Sequence, residues 1–332
     1  MRALRALAVG VAGAVLSAGL AACGSSTPET TGASAAPAAS DTAAFPRTVK
    51  HVMGEATIPA QPKRVVALDQ SFVDAVLTLE TEVVGFTSYR GIEGELPEYL
   101  TPVLGHAKEA TSVGTLEQPS LERILALKPD LIVSAKVRHE ALYDKLSQIA
   151  PTVFSETTGA IWKENLQLVG QALGKEDLAE QKVKEYQDRA GKIGESIKAK
   201  EGKLPTVSIA RFAGEPTVRL YVENSYSGLV LKDVGFPRPE DQPTVTDTIM
   251  VPISQENISQ LDADHIFVAA YEDPAVGPVK EKFEANPLWG KLKGAKHDVS
   301  DTIWMSAVGT QGAHAILDDL AKIFEVDPAR AG

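Results

Sequence analysis

The sequence predicts an α/β fold made of two lobes of related construction, and three observations lead there. Short apolar runs alternate with helical patterns along most of the chain, which argues for parallel sheets. One helix–strand pattern occurs twice. The first copy is Ser120-Leu121-Glu122-Arg123-Ile124-Leu125-Ala126-Leu127-Lys128-Pro129-Asp130-Leu131-Ile132-Val133, and the second is Ser254-Gln255-Glu256-Asn257-Ile258-Ser259-Gln260-Leu261-Asp262-Ala263-Asp264-His265-Ile266-Phe267. Ser, Glu, Ile, Leu, Asp and Ile recur in register, and a repeated unit marks repeated architecture. Between the copies lies a long amphipathic stretch.

Each copy starts with a Ser whose hydroxyl can cap a helix. Apolar residues follow at helical spacing: Leu121, Ile124 and Leu125 in one copy, Ile258 and Leu261 in the other. A short break then leads into an apolar run expected to be a buried strand.

The chain of 332 residues has room for two domains. Its net charge of −11 argues against nucleic acid, which needs a basic footprint, and against general adhesion to anionic lipid. Residues 1–22 have the pattern of a signal peptide, with Arg2 and Arg5 ahead of a short apolar run. That run ends in Leu20-Ala21-Ala22-Cys23-Gly24, which is similar to a bacterial lipobox. Cys23 is the only cysteine, so it has no intrachain disulfide partner, and lipidation would account for it. Residues 23–45 are rich in Ser, Thr, Ala, Gly and Pro and are expected to form a flexible tether.

A first α/β lobe is expected over residues 46–173. Its strands are Val65 to Leu68, Val83 to Gly85, Leu131 to Val133 and Thr152 to Phe154. Its helices are one that follows Asp69-Gln70-Ser71 and runs through Leu79, and one from Ile161 to Leu173. Residues 174–203 carry Ala179, Val183, Tyr186, Ala190, Ile193 and Ile197 at spacings of three and four in a charged background. That pattern is one long helix with a narrow apolar stripe, lying either within one lobe or across both. The second lobe, 204–332, has strands Thr206 to Ala210, Ile266 to Ala269 and His297 to Val299. Its helices are Ser227 to Val234 and Gly309 to Phe324.

Open α/β sheets bind ligands beyond the carboxyl ends of their strands. The ligand candidates are therefore Tyr89, Arg90, Lys136, Arg138 and Trp162 in the first lobe. In the second they are Arg211, Phe212, Tyr221, Tyr226, Tyr271 and Trp304. Aromatic rings and forked guanidinium groups suit a bulky, oxygen-rich, partly apolar ligand. Arg211 follows a buried strand directly, where a charge needs a partner. No phosphate loop, no Gly-x-Ser-x-Gly elbow and no thiol in the mature fold supports catalysis. The six histidines are scattered, so no protein metal site is expected.

The run from Ser112 to Ser134 resembles the signature of iron-siderophore and cobalamin substrate-binding proteins of ABC transporters. The likeness continues in Arg64-Val65-Val66-Ala67-Leu68-Asp69, in the second copy of the repeat and in Asn286-Pro287-Leu288-Trp289. The resemblance implies two Rossmann-like lobes joined by one long helix, with the ligand cleft between them. It implies an exported lipoprotein anchored through Cys23 to the outer face of the cell membrane. Its ligand would be a ferric siderophore, with Fe3+ held by the chelator and no cofactor of the protein's own. A hydroxamate type is favoured on the few basic candidates, with ferric citrate, haem and cobalamin as alternatives. The partners would be the membrane subunits of an ABC importer, onto which the matching Glu122 and Glu256 would dock. Without docking, a carboxylate at the second position of a helix still complements the helix dipole by ~0.3–1 kcal/mol. Readings from other classes are a cell-surface hydrolase and a cell-wall interaction protein.

Overall fold

The computed structural model describes residues 45–88, 92 and 94–330. The signal segment, Cys23, nearly all of the tether, Tyr89 and Arg90 lie outside the described residues. A hairpin of β1 (Arg47–His51) and β2 (Gly54–Ile58) leads into the first lobe. That lobe runs β3 (Val65–Ala67), α1 (Gln70–Thr78), β4 (Val83–Ser88), β5 (Thr111–Thr115), α2 (Leu121–Ala126) and β6 (Leu131–Ala135). It continues through α3 (Lys136–His139), α4 (Tyr143–Ser147), β7 (Thr152–Ser155) and α5 (Trp162–Leu173). Its sheet has the order β5-β4-β3-β6-β7, and every pairing is parallel.

Helix α6 (Glu176–Glu201) follows, then the second lobe: β8 (Val207–Phe212), β9 (Val218–Tyr221), α7 (Tyr226–Val234), β10 (Met250–Ile253), β11 (His265–Ala270), α8 (Val276–Glu284), β12 (Ala295–Val299) and α9 (Thr310–Ile323). Its sheet has the order β10-β9-β8-β11-β12. Here β8, β11 and β12 are parallel, while β9 and β10 are antiparallel additions at one edge. The α/β expectation with two lobes is borne out. The hairpin, β5, β9 and β10 were not among the expected strands, being short runs between turn residues.

The repeat has a physical basis. In the first lobe the Asp130 carboxylate accepts the backbone N–H groups of Lys63 (2.8 Å) and Arg64 (2.9 Å), just before β3. In the second, Asp264 accepts the N–H of Thr206 at 2.8 Å, just before β8. Each Asp thus pins the entry of its lobe's central strand, where an unpaired backbone donor is costly. The helical halves of the repeat differ. The Ser120 hydroxyl accepts from Arg123 N–H and caps α2. The second copy forms a 3₁₀ turn, Gln255–Leu261, rather than an α-helix, and the Ser254 hydroxyl donates to the Glu256 carboxylate at 2.8 Å instead of capping. Of the apolar positions in α2 only Ile124 is buried, and Leu125 is exposed.

Helix α6 has 26 residues and so spans about 39 Å at ~1.5 Å per residue. Its stripe is shared between the lobes. Ala179 and Val183 belong to the core under the first sheet, whereas Tyr186, Ala190, Ile193 and Ile197 belong to the core under the second. A second link is polar. Asp74, buried on α1 of the first lobe, accepts the N–H groups of Gln311 (2.9 Å) and Gly312 (3.2 Å) at the start of α9 in the second lobe. These are orphan donors of the helix terminus, so one lobe caps a helix of the other. Gly309 makes the approach possible, because a Cβ there would lie 2.3 Å from Asp74 Cγ. Burial pushes the Asp74 carboxyl up to about 6, against the lowering effect of the donors around it. An ion pair, Lys163 to Asp233, also joins the lobes, and Tyr186 donates its hydroxyl to the same carboxylate at 2.9 Å.

Candidate functional site

A cavity of about 480 Å³ opens between the lobes, a size typical of small-molecule sites. The first lobe contributes Leu116 after β5, Val137 and Arg138 after β6, and residues 157–160 after β7. The second contributes Arg211, Arg219, Tyr221, Tyr226, Ser227, Ile249, Tyr271 and the stretch Trp304, Met305 and Val308. The parallel strands therefore present their carboxyl ends to the cavity, where α/β sheets carry ligands.

Three guanidinium groups reach this wall, and each is held from behind by a carboxylate that does not line it. Arg138 donates Nε–H to Asp69 Oδ2 at 2.8 Å, and Asp69 itself caps α1 by accepting the Ser71 N–H. The terminal nitrogens of Arg138 make no hydrogen bond among the described residues. Arg211 donates Nε–H and Nη2–H to the two oxygens of Asp301 at 2.6 and 2.7 Å. Its Nη1 donates to the Tyr221 hydroxyl at 2.9 Å, and its carbon lies 5.8 Å from the Tyr271 ring centre. This is the partner that a charge on a buried strand requires, although Arg211 lies inside β8 rather than beyond it. Arg219 pairs with Glu215. No Asp or Glu lines the cavity among the described residues, so the pinned forks present cationic donors to whatever enters.

The floor is aromatic and tightly packed. Tyr226 is 4% exposed and donates its hydroxyl to the Gly309 carbonyl at 2.7 Å. Burial, and next the charge of Asp74, hold its phenol well above the ordinary tyrosine value. Trp304 is fully buried, donates its indole N–H to Asp319 at 2.8 Å and packs on Phe267. Ser227 belongs to the lining, and its buried hydroxyl has no hydrogen-bond partner among the described residues. Val308 has a left-handed backbone, φ 40°, a strained conformation for a β-branched residue at the edge of a site.

Of the expected ligand residues, Arg138, Arg211, Tyr226, Tyr271 and Trp304 come together at this cavity. Trp304 does so as floor, since its ring is committed to the core. Trp162 and Lys136, also expected there, lie apart from the lining. Trp162 is 2% exposed and packs edge-on against Tyr186 and Tyr226 between the lobes, so its ring is not free to stack on a ligand. Lys136 does not line the cavity and pairs with Glu156 at 3.6 Å. Tyr89 and Arg90 lie outside the described residues. Tyr221, also a candidate, lines the cavity from the end of β9, whereas Phe212 is fully buried and does not; the expectation missed Arg219, on that same strand. His139 is buried behind the wall. Its two ring nitrogens bond the Ser134 hydroxyl and the Leu116 carbonyl, each at 2.7 Å.

Glu122 and Glu256 are both exposed, and neither lines the cavity. Among the described residues no group of three or more His, Cys, Asp or Glu side chains is placed to hold a metal ion. Nor is any described helix long and apolar enough to cross a membrane.

Comparison with known proteins agrees with this architecture. The family model described as "Periplasmic binding protein" matches residues 65–299. A probable siderophore-binding lipoprotein of Bacillus subtilis, YfiY, is 36% identical over 293 residues, covering 84% of this chain and 87% of that protein. The Fe(3+)-citrate-binding protein YfmC of the same organism is 29% identical over 283 residues, 83% of this chain and 85% of the other. Among solved structures, Staphylococcus aureus SirA complexed with staphyloferrin B superposes with a TM-score of 0.77 at 32% identity, covering 85% of this chain and 99% of that one. With matches across this much of its length, the chain belongs to the periplasmic binding protein family.

Proposed function

We propose that this protein captures a ferric siderophore outside the cytoplasm and delivers it to an ABC importer, and that the chelator carries carboxylate groups. The observation that carries the reading is the cavity wall with Arg138, Arg211 and Arg219 and no carboxylate among its described residues. A guanidinium fork matches a carboxylate oxygen pair, and three held in place recognise a multiply charged rim without rearranging. The similarity to a ferric-citrate-binding relative supports the same chemistry. The iron arrives already ligated, so the protein needs neither a cofactor of its own nor metal ligands. Cys23 serves as the lipid anchor and residues 23–45 as the tether, which leaves the lobes free to meet the permease. Cys23→Ala is expected to release the protein from membranes without changing ligand affinity.

A hydroxamate complex is the second reading. The favouring observation is that Asp69, Asp301 and Glu215 already neutralise the three guanidinium groups, which leaves a wall of little net charge. Tryptophan fluorescence separates the two, since Trp304 forms the cavity floor. Titration with ferric dicitrate, a linear ferric trihydroxamate, haem and cobalamin is expected to show tightest binding to the carboxylate complex, weakening as salt screens the arginines. Tighter binding of the hydroxamate would select the second reading. Silence toward all four would overturn both, and turnover of any of them would point to an enzyme.

A further inference from the structure

Large aliphatic side chains are rarely left in water without reason when they gather at one site, although single ones are common. Val52, Leu125, Val137 and Ile249 are the exposed large apolar residues described. Two of these four line the ligand cavity, one from each lobe. Val137 is 61% exposed and Ile249 is 47% exposed. Lining and exposure together place both at the cavity mouth rather than on its floor.

Neither residue sits on a loose loop. The Val137 N–H donates to the Glu156 carbonyl at 3.2 Å, which ties the start of α3 to the strand end beside it. The Ile249 carbonyl accepts the Val222 N–H at 3.1 Å, which ties the approach to β10 against the end of β9. Both side chains are β-branched and stiff at χ1, so they are presented in fixed directions with little entropy left to lose. Leu116, Met305 and Val308 add further apolar lining to the same cavity. Next to Val137 stands Arg138, whose terminal nitrogens make no hydrogen bond among the described residues. A ligand in this cavity therefore meets both cationic donors and apolar surface.

We infer that Val137 and Ile249 grip the aliphatic spacer of a chelator whose carboxylate ends are held by the arginines. This deepens the carboxylate-siderophore reading and rests on it. The selected ligand class is a ferric chelate of two citrate-like ends joined by a methylene chain, in preference to one assembled from separate small acids. The match is chemical. A spacer of CH2 groups has no hydrogen bonds to satisfy, and the two residues offer only apolar area.

The probe is a series of ferric bis-citryl diamides whose diamine lengthens from two to five methylenes, titrated against the intact protein and against Val137→Thr, Ile249→Thr and the double variant. Thr keeps the β-branch, so the variants are expected to fold, and thermal melting checks that they do. Wild-type affinity is expected to rise by up to about three- to fourfold per added methylene, the value for full burial of a CH2 group. In the double variant that gain per methylene is expected to fall to twofold or less, each single variant lying between. Equal slopes in the wild type and the double variant would overturn the spacer grip while leaving the carboxylate reading intact. So would a uniform loss at every spacer length, which would mean that the two residues meet each other rather than the ligand. Failure of the wild type to bind any member would overturn both.

Discussion

Arg211 illustrates how a binding residue can also be part of the fold, and its replacement separates the two roles. Its side chain is 14% exposed and that of Asp301 is 3% exposed. Removing Arg211 alone leaves the Asp301 carboxylate with one remaining hydrogen bond among the described residues, from the Ser306 hydroxyl at 3.4 Å. Breaking a buried pair from one side costs about 3–5 kcal/mol, because the surviving charge stays desolvated. Against a total stability of ~5–15 kcal/mol, Arg211→Ala is a severe lesion. Arg211→Met combined with Asp301→Asn removes both charges at similar volume. Its stability is expected to recover to within ~1–2 kcal/mol of the wild type, since a well-packed neutral replacement of a buried pair is often near neutral. Ligand affinity is not expected to recover, because the fork is gone. A hydrogen bond to a charged group contributes ~1.5–3 kcal/mol, so binding should weaken by about 10- to 150-fold. Urea unfolding followed by circular dichroism gives the first quantity and fluorescence titration the second. Unchanged stability in Arg211→Ala would refute the structural role. Wild-type affinity in the double variant would show that Arg211 serves only Asp301.

Three further outcomes are expected. The Asp74 carboxyl titrates at about 6 in the fold against 3.8 outside it, so the native state holds the extra proton between those values and stability falls as pH rises through that window. The stability of Asp74→Asn relative to wild type should therefore improve between pH 4 and pH 7, by up to ~3 kcal/mol at 1.36 kcal/mol per pKa unit; a pH-independent difference in urea midpoints would contradict this. His265 and His297 bond each other at 2.9 Å, and burial lowers both below 6.5. The unfolded chain then binds more protons below 6.5, so stability is full above that value and is lost on acidification, and His297→Gln should flatten the slope of stability between pH 6.5 and 5. Glu122→Lys with Glu256→Lys should keep ligand affinity while lowering transporter ATPase activity in proteoliposomes; unimpaired ATPase with a well-folded double variant would rule out docking through these residues.

Much of the frame could be read from residue patterns, because those patterns are local. The stripe of α6 shows at spacings of three and four, and the same residues are buried in the helix, shared between two cores. The strands of the parallel sheets show because continuous apolar runs are buried on both faces. The antiparallel strands β9 and β10 escape such a reading, since four residues between turns carry almost no periodic signal. With β9 went Arg219, although Val218-Arg219-Leu220 alternates as a half-buried strand does.

Direction is what the sequence withholds, and direction decides the site. Position after a strand nominated both Trp162 and Arg138. The first turns its ring between the lobes onto Tyr186, and the second turns its fork to the cavity. Partners across long separations are hidden for the same reason. Asp74 stands in Phe72-Val73-Asp74-Ala75-Val76, and a carboxylate in such a run needs donors that an apolar helix cannot supply. The sequence therefore shows that a partner exists without showing that it is the start of α9 in the other lobe. The consequence is functional. With α6 packed into both cores and Asp74 seated on the terminus of α9, relative motion of the lobes must bend a continuous helix or break buried hydrogen bonds. Ligand capture is thus expected to proceed with small lobe movements, which places the burden of selectivity on side chains already in position at the cleft: the three pinned arginines and the apolar pair at its mouth.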